Sequence, residues 1–334
     1  MSGIWKTSTA RKFFSRKFRP HLFLIIILTM SVTGACGSAL DSVTQSGSSA
    51  TLEATVPMVD RAGNTFNKPQ KTDKIICMSP AVTEILAGLG LADKIIAIDT
   101  YSAGIEGLTE DLPQFDMMTP DAERLIALAP DLLFVTGMSL VNGVDPYKPV
   151  SDTGVCVVYI PTTNSIAGIK EDIEFVGEVT GTAERAAELT ADLDSALSEV
   201  AALGSTVTEK KSVLFEVAAA PQIYSFGRNV FLNEMLELIG ARNIFEDEDS
   251  WISVSEESVI SANPDVILTS VDYIEDPTGE ILSRNGWENV TAVKNRQVYY
   301  IDTNSSSRPN QNIVKALWEM LSAVYPELAQ EEAA

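Results

Sequence analysis

The chain has 334 residues, of which 46 are acidic and 24 basic, and its single histidine is His21. So acidic a surface repels nucleic acid and anionic lipid head groups, and we expect neither as a partner. Because His21 falls in an N-terminal segment that we expect to be removed, the mature chain excludes a Ser-His-Asp or Cys-His catalyst and a His-ligated metal site.

Residues 1–36 predict a secretory signal. They contain six Lys or Arg and no acid, and their apolar run 22–28 is too short to span a membrane. The sequence Thr33-Gly-Ala-Cys36 resembles the bacterial lipobox, whose cysteine is lipidated and becomes the mature N-terminus. The alternative is a plain secretory signal with an incidental cysteine. Removing this segment takes away six of the 24 basic residues and none of the 46 acids, so the mature chain has a net charge of −28.

Behind the signal, the sequence predicts a tether and a first α/β lobe. Residues 37–51 are rich in Ser, Gly, Thr and Ala, which is typical of a flexible tether. Residues 52–163 alternate between strand and helix patterns, which predicts a parallel sheet with helices on both faces. The predicted elements are an edge segment 55–68, strands 74–79, 94–99, 131–136 and 154–160, and helices 81–89 and 119–128.

Two cysteines fall in predicted strands of this N-terminal lobe. Cys77 lies in strand 74–79 and Cys156 in strand 154–160, and both strands are apolar. Because a doubly wound strand order need not make these strands neighbours, we favour two buried free thiols over a disulfide.

Residues 164–205 predict the connection to a second lobe. Apolar residues at spacings of three and four, such as Ile166, Val176 and Leu193, continue through 165–203 without a proline. The pattern predicts one long rigid helix, well above the average length of ~11 residues.

The C-terminal lobe, residues 206–334, resumes the alternation of strands and helices. Its predicted elements are strands 212–217, 265–270 and 297–302, and helices 229–239, 255–262 and 310–324.

The two lobes contain the same architecture twice. The string Glu123 to Asp131, a glutamate opening a helix and a Pro-Asp turn into a strand, recurs as Glu257 to Asp265. A second string, Glu84 to Gly90, recurs as Glu234 to Gly240, and each copy ends an apolar helix on a glycine suited to a C′ cap. We therefore predict an α/β fold of two Rossmann-like lobes joined by one long rigid helix, with a ligand cleft between the lobes.

Several segments, in their order and spacing, resemble the ABC-importer substrate-binding proteins that carry vitamin B12, ferric siderophores or haem. The resemblance is carried by 76–84, 123–131, 240–244, 251–257 and 298–302, and it extends from about residue 52 to the final helix. It implies a ligand held between the lobes and delivered to a membrane permease dimer driven by a cytoplasmic ATPase. We expect a monomer without a cofactor.

The resemblance also assigns a role to Glu123 and Glu257. In the vitamin B12 binder, an acidic residue on top of each lobe pairs with arginines of the permease, and these two glutamates match those positions. Charges on a rim steer docking without being buried. The alternative is that each glutamate is only an early-helix residue favoured by the helix dipole.

The ligand is the least determined part of the prediction, and the candidate residues indicate different ligands. Tyr101 and Trp251 occupy positions that resemble aromatic cobalamin contacts of the B12 binder. The tryptophan that this binder places shortly before its first docking glutamate is matched here by Met117, which speaks against cobalamin. In haem-binding relatives a methionine in a similar Met-x-Pro setting ligates iron, which makes Met118 a candidate axial ligand, with Tyr224 in place of the absent histidine. The alternative is that this methionine only fills an irregular rim.

Two arginines supply the case for a siderophore. Arg228 and Arg308 fall in predicted cleft loops of a very acidic protein, and a guanidinium suits anionic oxygen atoms. Met138 lies in another such loop, 136–139. The alternative is that the arginines pair with nearby acids. We expect an iron complex, with a ferric siderophore ahead of haem and cobalamin.

Two other classes of protein stay open. An extracellular enzyme would have to rely on a carboxylate pair, as glycosidases do, but no Asp or Glu pair stands out from the many acids. A structural or adhesion lipoprotein would not need two equivalent docking glutamates.

Overall fold

The computed structural model describes residues 57–139 and 143–331. The predicted signal 1–36 with Cys36 and the predicted tether 37–51 lie outside the described residues. No helix within the described ranges is both long enough and apolar enough to cross a membrane.

The described residues alternate between strands and helices along the chain. The strands are β1 Pro57–Val59, β2 Thr65–Asn67, β3 Ile75–Met78, β4 Ile95–Asp99, β5 Gln114–Phe115, β6 Leu132–Thr136, β7 Cys156–Ile160, β8 Ser212–Glu216, β9 Ile223–Phe226, β10 Arg242–Asn243, β11 Trp251–Val254, β12 Val266–Thr269 and β13 Val298–Tyr300. The helices are α1 Pro80–Gly88, α2 Ala122–Ala127, α3 Lys148–Ser151, α4 Ile166–Thr180, α5 Ala183–Gly204, α6 Phe231–Leu238, α7 Glu256–Ala262, α8 Pro277–Leu282, α9 Thr291–Lys294, α10 Thr303–Ser307, α11 Ile313–Val324 and α12 Pro326–Glu331.

In the described part of the chain the strands form two parallel sheets and two antiparallel pairs. The first lobe has the order β5-β4-β3-β6-β7 and the second the order β10-β8-β12-β13. The central strands β3, β6, β8 and β12 are buried along their whole length, as expected of parallel strands covered on both faces. The pairs β1-β2 and β9-β11 are antiparallel. The predicted two-lobed α/β architecture is therefore confirmed.

The internal repeat is visible in atomic detail. Asp131 accepts hydrogen bonds from the backbone N–H groups of Asp73 and Lys74, each at 3.0 Å, just before β3. Its counterpart Asp265 accepts from the N–H and the hydroxyl of Ser212 at the start of β8, at 2.8 and 2.7 Å. In both lobes, therefore, the aspartate of the Pro-Asp turn fixes the beginning of one strand to the beginning of its neighbour.

The glycines that end α1 and α6 have the predicted capping role. Gly90 and Gly240 both have a φ of +77°, in the left-handed region that favours glycine. The N–H of each following residue donates to the carbonyl three residues before the helix cap: Leu91 to Leu86 and Ala241 to Leu236, both at 2.9 Å. This is the Schellman arrangement, which satisfies carbonyls at a helix end.

The prediction of one uninterrupted helix over 165–203 is wrong. The segment forms two helices, α4 and α5, that pack against each other, with a break at Gly181. Gly181 has a φ of +78° and its N–H bonds back to the last turn of α4, so the chain reverses there although the apolar spacing continues. Helix α4 packs against α1 of the first lobe, and the 22-residue α5 packs against α6 and α11 of the second.

Within the described residues both cysteines are free, as the sequence predicts. Cys77 in β3 and Cys156 in β7 are separated by β6, which lies between their strands. Burial raises the pKa of the Cys77 thiol to about 12 and that of Cys156 to about 11. Neither thiol is therefore a thiolate near neutral pH.

Candidate functional site: the cleft between the lobes

A cleft of about 510 Å³ lies where the carboxyl ends of the first sheet face the second lobe. Open α/β sheets bind ligands at this edge, where the strand order reverses beside the central strand. The first lobe contributes the residues that follow β3, β4, β6 and β7, and the second contributes the loop after β12 and helix α10. The lining is mainly apolar and comprises Pro80, Ala81, Val82, Ile85, Tyr101, Met117, Met118, Met138, Ile160, Pro161 and Pro309 beside the polar residues Ser79, Thr136, Thr162, Thr163, Asp172, Asp272, Thr303, Asn304, Ser307 and Arg308.

Methionines form one wall of the cleft. The side chain of Asp116 accepts from the N–H of Met118 at 2.7 Å and from that of Thr119 at 3.1 Å. These backbone bonds lower the pKa of Asp116, so its carboxylate stays charged and continues to hold the loop. The buried Tyr147 hydroxyl donates to the Met117 carbonyl at 2.8 Å. Met118 is thus held at the cleft on an ordered loop, and Met138 reaches it with a largely exposed side chain.

Tyr101 projects from a short turn that a buried aspartate holds. The Asp99 carboxylate accepts from the N–H of Tyr101 at 2.8 Å and from the hydroxyl of Ser102. Burial nevertheless raises the pKa of Asp99. Tyr101 is 67 % exposed and lies at the cleft, where its ring is free to pack against a ligand.

Arg308 lines the cleft, but its guanidinium is already engaged. One terminal nitrogen pairs with the Glu84 carboxylate and the other donates to the Tyr101 carbonyl at 2.8 Å. The pairing alternative is therefore the one that the structure shows for Arg308. Glu84 thus neutralises the charge of Arg308 within the protein, and a role of Arg308 in binding a ligand stays a prediction.

Glu84 is the centre of a buried polar group that joins the lobes. Besides Arg308, its carboxylate accepts from the side chains of Asn310 at 2.9 Å and Asn312 at 2.6 Å, and its backbone carbonyl accepts from Gln311 at 2.9 Å. The carboxylate belongs to α1 of the first lobe, whereas every donor precedes α11 of the second. We name Glu84, Arg308, Asn310 and Asn312 the Glu84 cluster. It fixes one side of the cleft.

A second ion pair borders the cleft on the side of α4. The Asp172 carboxylate, almost fully buried, accepts from Arg61 at 2.6 Å, and Arg61 also bonds Glu171 at 2.8 Å. Burial raises the pKa of Asp172 to about 6, against the opposing effect of Arg61. Asp272 also lines the cleft and is exposed, without an ion-pair partner among the described residues. The charges around the cleft are thus mostly compensated by the protein itself.

The three remaining candidates lie on the second lobe outside the cleft lining. Trp251 pairs with Phe226 and Ser253 with Tyr224 across β9 and β11, so the exposed Trp251 and Tyr224 share one face of this sheet. Arg228 lies at the end of the sheet, is exposed, and donates to the Asp247 carbonyl at 3.3 Å. The structure therefore brings Tyr101, Met118, Met138 and Arg308 together in the cleft, and separates Arg228 from them.

A hydrogen bond connects this sheet to the cleft. The hydroxyl of Tyr273, which follows the cleft residue Asp272, accepts from the N–H of Ala219 at 2.8 Å, and Ala218 pairs with Tyr224. Tyr273 is 67 % exposed. Tyr224, Trp251 and Tyr273 are thus three exposed aromatic residues of the second lobe.

Glu123 and Glu257 occupy the same position in equivalent helices. Each is the second residue of its helix, α2 or α7, after a capping side chain of Asp121 or Ser255. Both are exposed, and neither forms an ion pair with another described residue. Because a helix leading into a parallel strand begins at the carboxyl end of the sheet, both glutamates lie on the edge of their lobe that carries the cleft.

Sequence reasoning missed Glu84, Met117 and Asp172 as parts of the site. The sequence indicates only the place of Glu84 in the repeat, because the donors to its carboxylate lie more than 220 residues away. Asp172 lies among the many acids of the linking segment, and nothing in its neighbourhood distinguishes it. The Met117-Met118 pair was the one available signal for Met117.

Two lobes, a cleft at the carboxyl ends of their strands, and internally compensated charges define a binding protein. The family model described as Periplasmic binding protein matches residues 75–304. The chain belongs to this periplasmic binding protein family, which confirms the resemblance found in the sequence. It is a substrate-binding protein and not an enzyme.

Similar proteins agree with this assignment. The ABC transporter substrate-binding lipoprotein YvrC of Bacillus subtilis (strain 168) is 28 % identical over 320 residues, which cover 94 % of this chain and 100 % of that protein. The vitamin B12-binding protein of Vibrio parahaemolyticus is 26 % identical over 256 residues, 76 % of this chain and 89 % of that one. A solved structure described as a possible iron-binding (periplasmic solute-binding) protein of Staphylococcus epidermidis ATCC 12228 matches with a TM-score of 0.69 and 30 % identity, and covers 77 % of this chain and 100 % of the other.

Proposed function

We propose that this chain is the extracytoplasmic, lipid-anchored substrate-binding component of an ABC importer, and that its ligand is a corrinoid such as cobalamin. The observation that carries the ligand assignment is the charge balance of the cleft. Arg308 is neutralised by Glu84 and Asp172 by Arg61, which leaves Asp272 as the uncompensated charge among the described lining residues. Such a site suits a bulky ligand that presents amides rather than carboxylates.

The chemistry of the lining supports a corrinoid over a ferric siderophore. Methionine, tyrosine, proline and aliphatic side chains offer a large apolar surface for a macrocycle. Threonine and asparagine side chains, including Thr163, Thr303 and Asn304, can exchange hydrogen bonds with peripheral amides. An anionic siderophore would have to recruit a free cation, yet the one guanidinium in the described lining is paired and Arg228 lies elsewhere.

The absence of histidine after residue 21 also suits a corrinoid. Cobalamin carries its own axial base, so cobalt needs no ligand from the protein. Haem is the second candidate because Met118 and Met138 place thioether sulfurs at the cleft, and a thioether can ligate haem iron. The two propionates of haem fit less well beside Asp272. The vitamin B12-binding relative from Vibrio parahaemolyticus supports the corrinoid proposal in the same direction.

The same proposal gives roles to the two exposed glutamates and to the N-terminus. Glu123 and Glu257 would meet basic residues of the permease, because both lie uncompensated on the cleft edge of their lobes. Cys36 would carry the lipid that retains the protein at the membrane, with residues 37–51 as the tether.

Fluorescence titration of the mature protein with cyanocobalamin, haemin and a ferric trihydroxamate tests the ligand assignment. We expect cyanocobalamin to quench tryptophan emission with a Kd of ~1 µM or tighter. In the control Trp251→Phe, calorimetry should report nearly the same affinity while most of the quenching is lost. Two results together would make haem the proposed ligand instead of a corrinoid: haemin-loaded protein shows a Soret band that Met118→Ala abolishes, and cyanocobalamin does not bind. If only the ferric trihydroxamate binds, a ferric siderophore becomes the proposed ligand, as the sequence predicts.

A further inference from the structure

A series of buried side-chain contacts, which we call a chain of contacts, runs through the second lobe from the cleft to α7, the helix that carries Glu257. It begins at Glu216, the last residue of β8, which is 1 % exposed. Arg284 binds this carboxylate through both terminal nitrogens, at 2.7 and 2.9 Å. Arg284 also lies over the ring of Trp287, with its guanidinium carbon 4.8 Å from the ring centroid. Bidentate pairing and stacking together restrict the arginine to one geometry.

Trp287 carries the contact to the helix. It is fully buried, and a buried indole N–H requires an acceptor. The Trp287 N–H donates to the Glu256 carboxylate at 2.9 Å. Glu256 is the first residue of α7, directly before Glu257. Two adjacent glutamates thus have different environments: Glu256 is bound to the interior, and Glu257 is exposed on the surface.

The other end of the chain touches the cleft. Ser270 donates its N–H to the Glu216 carbonyl at 3.1 Å, and the cleft residue Thr303 donates its hydroxyl to the Ser270 carbonyl. A ligand that contacts Thr303 therefore lies against a residue that is hydrogen-bonded to Ser270, which is itself bonded to Glu216.

The first lobe lacks this chain, although it has the same architecture. Strand register makes Met78 the counterpart of Glu216, because Met78 pairs with Val135 as Glu216 pairs with Thr269, and these partners are equivalent in the repeat. The counterpart of Glu256 is Ala122, the residue before Glu123. Neither counterpart can donate or accept through its side chain in this way, so the connection is a property of the second lobe alone.

We propose that Glu256 is a positioning residue for docking: through Trp287 and the Arg284–Glu216 pair, it fixes the start of α7, and with it Glu257, relative to the cleft. This inference rests on the proposed docking role of Glu257. The two docking contacts would then be unequal. Buried contacts connect the position of Glu257 in the second lobe to the ligand site, whereas Glu123 in the first lobe has no such connection among the described residues.

The test measures binding of the mature protein to its permease–ATPase complex in nanodiscs by surface plasmon resonance, which requires no knowledge of the ligand. Glu256→Ala removes the acceptor, and we expect docking to weaken by ~10-fold, about 1.4 kcal/mol. Glu256→Gln keeps an oxygen for the indole N–H but loses the charge, and should stay within about twofold of the wild type. Trp287→Phe, which removes the donor, should behave like Glu256→Ala.

A matched control and a reference variant separate the possible outcomes. Glu184→Ala removes an exposed acid at the second position of α5, away from docking, and should leave docking unchanged. If Glu256→Gln fails as badly as Glu256→Ala, Glu256 acts through its charge and the positioning role is wrong. If Glu256→Ala binds like the wild type while Glu257→Lys does not, the inference is overturned and the proposed docking survives. If Glu257→Lys also binds normally, both the positioning role of Glu256 and the docking role of Glu257 are wrong.

Discussion

Glu84 and Glu234 occupy equivalent positions in the two copies of the repeat, and each carboxylate is bound by residues at the start of a helix that belongs to the other half of the molecule. Glu84 in α1 accepts from the side chains that precede α11. Glu234 in α6 accepts from the N–H of Ile166, the first residue of α4, at 2.9 Å. Each half of the molecule therefore supplies a glutamate at the same position of the repeat, and this glutamate accepts hydrogen bonds from the other half.

The Glu84 carboxylate accepts hydrogen bonds from more groups than the Glu234 carboxylate, so replacing Glu84 should destabilise the protein more. Glu84→Ala leaves Arg308, Asn310 and Asn312 without their acceptor, and we expect unfolding free energy to fall by at least ~3 kcal/mol. Glu234→Ala removes one bond to a helix N-terminus and should cost ~1 kcal/mol. Urea denaturation measures both. Equal losses for the two variants would contradict the central place of the Glu84 cluster.

Replacements in the cleft should distinguish a corrinoid from an anionic iron complex. Tyr101→Ala and Met138→Ala each remove apolar contact with the ligand and should weaken cyanocobalamin binding by ~1–3 kcal/mol. Arg228→Ala should change the affinity by less than ~0.5 kcal/mol, because Arg228 lies outside the cleft lining. Calorimetry gives these values. A large loss in Arg228→Ala with little effect of the other two would favour the siderophore.

Charge reversal tests the docking surface independently of the cleft. Glu123→Lys combined with Glu257→Lys should abolish uptake in cells, because two attractive contacts with the permease become repulsive. Ligand affinity of the purified double variant should remain within about twofold of the wild type. An equal loss of ligand binding would place these glutamates in the binding site instead.

Asp172 should make stability depend on pH. Its pKa is about 6 in the folded protein against an ordinary 3.8, so the folded state binds more protons in that interval. The contribution of Asp172 to stability is therefore present below pH ~4 and is lost as pH rises through about 6. Relative to Asp172→Asn, the wild type should lose unfolding free energy between pH 4 and 7 in urea denaturation. The opposite slope would mean that the attraction of Arg61 outweighs burial.

Lipidation of Cys36 predicts a change in localisation. Cys36→Ser removes the thiol that the lipobox-like sequence presents, so the protein should no longer stay with the membrane fraction. Mass spectrometry of the N-terminal peptide should show the lipid in the wild type alone. Unchanged fractionation and an unmodified wild-type peptide would support a plain secretory signal.

Local patterns were sufficient to predict the long strands of both parallel sheets, the repeat and the capping glycines, because strand burial and helix ends depend on neighbouring residues. The two-residue strands β5 and β10 at the sheet edges are too short to leave such a pattern. The break at Gly181 was missed because the apolar spacing of α4 and α5 continues across it. Strands β9 and β11 were missed because their apolar residues do not alternate regularly with polar ones: Tyr224 and Trp251 are exposed.

The site was less predictable than the fold because it depends on distant pairs. Nothing near Arg308 in the sequence shows that Glu84 neutralises it, and this pair changes which ligand the cleft favours. Likewise, Trp287 and Glu256 are 31 residues apart, and no short-range pattern connects them.

Native mass spectrometry of the protein isolated from its own organism is the most direct test of the proposed corrinoid ligand, since it identifies the ligand without choosing a probe. We expect a complex whose added mass and visible spectrum are those of a corrinoid, released intact on unfolding. A ferric siderophore or haem in that complex would contradict the corrinoid assignment drawn from the compensated charges of the cleft.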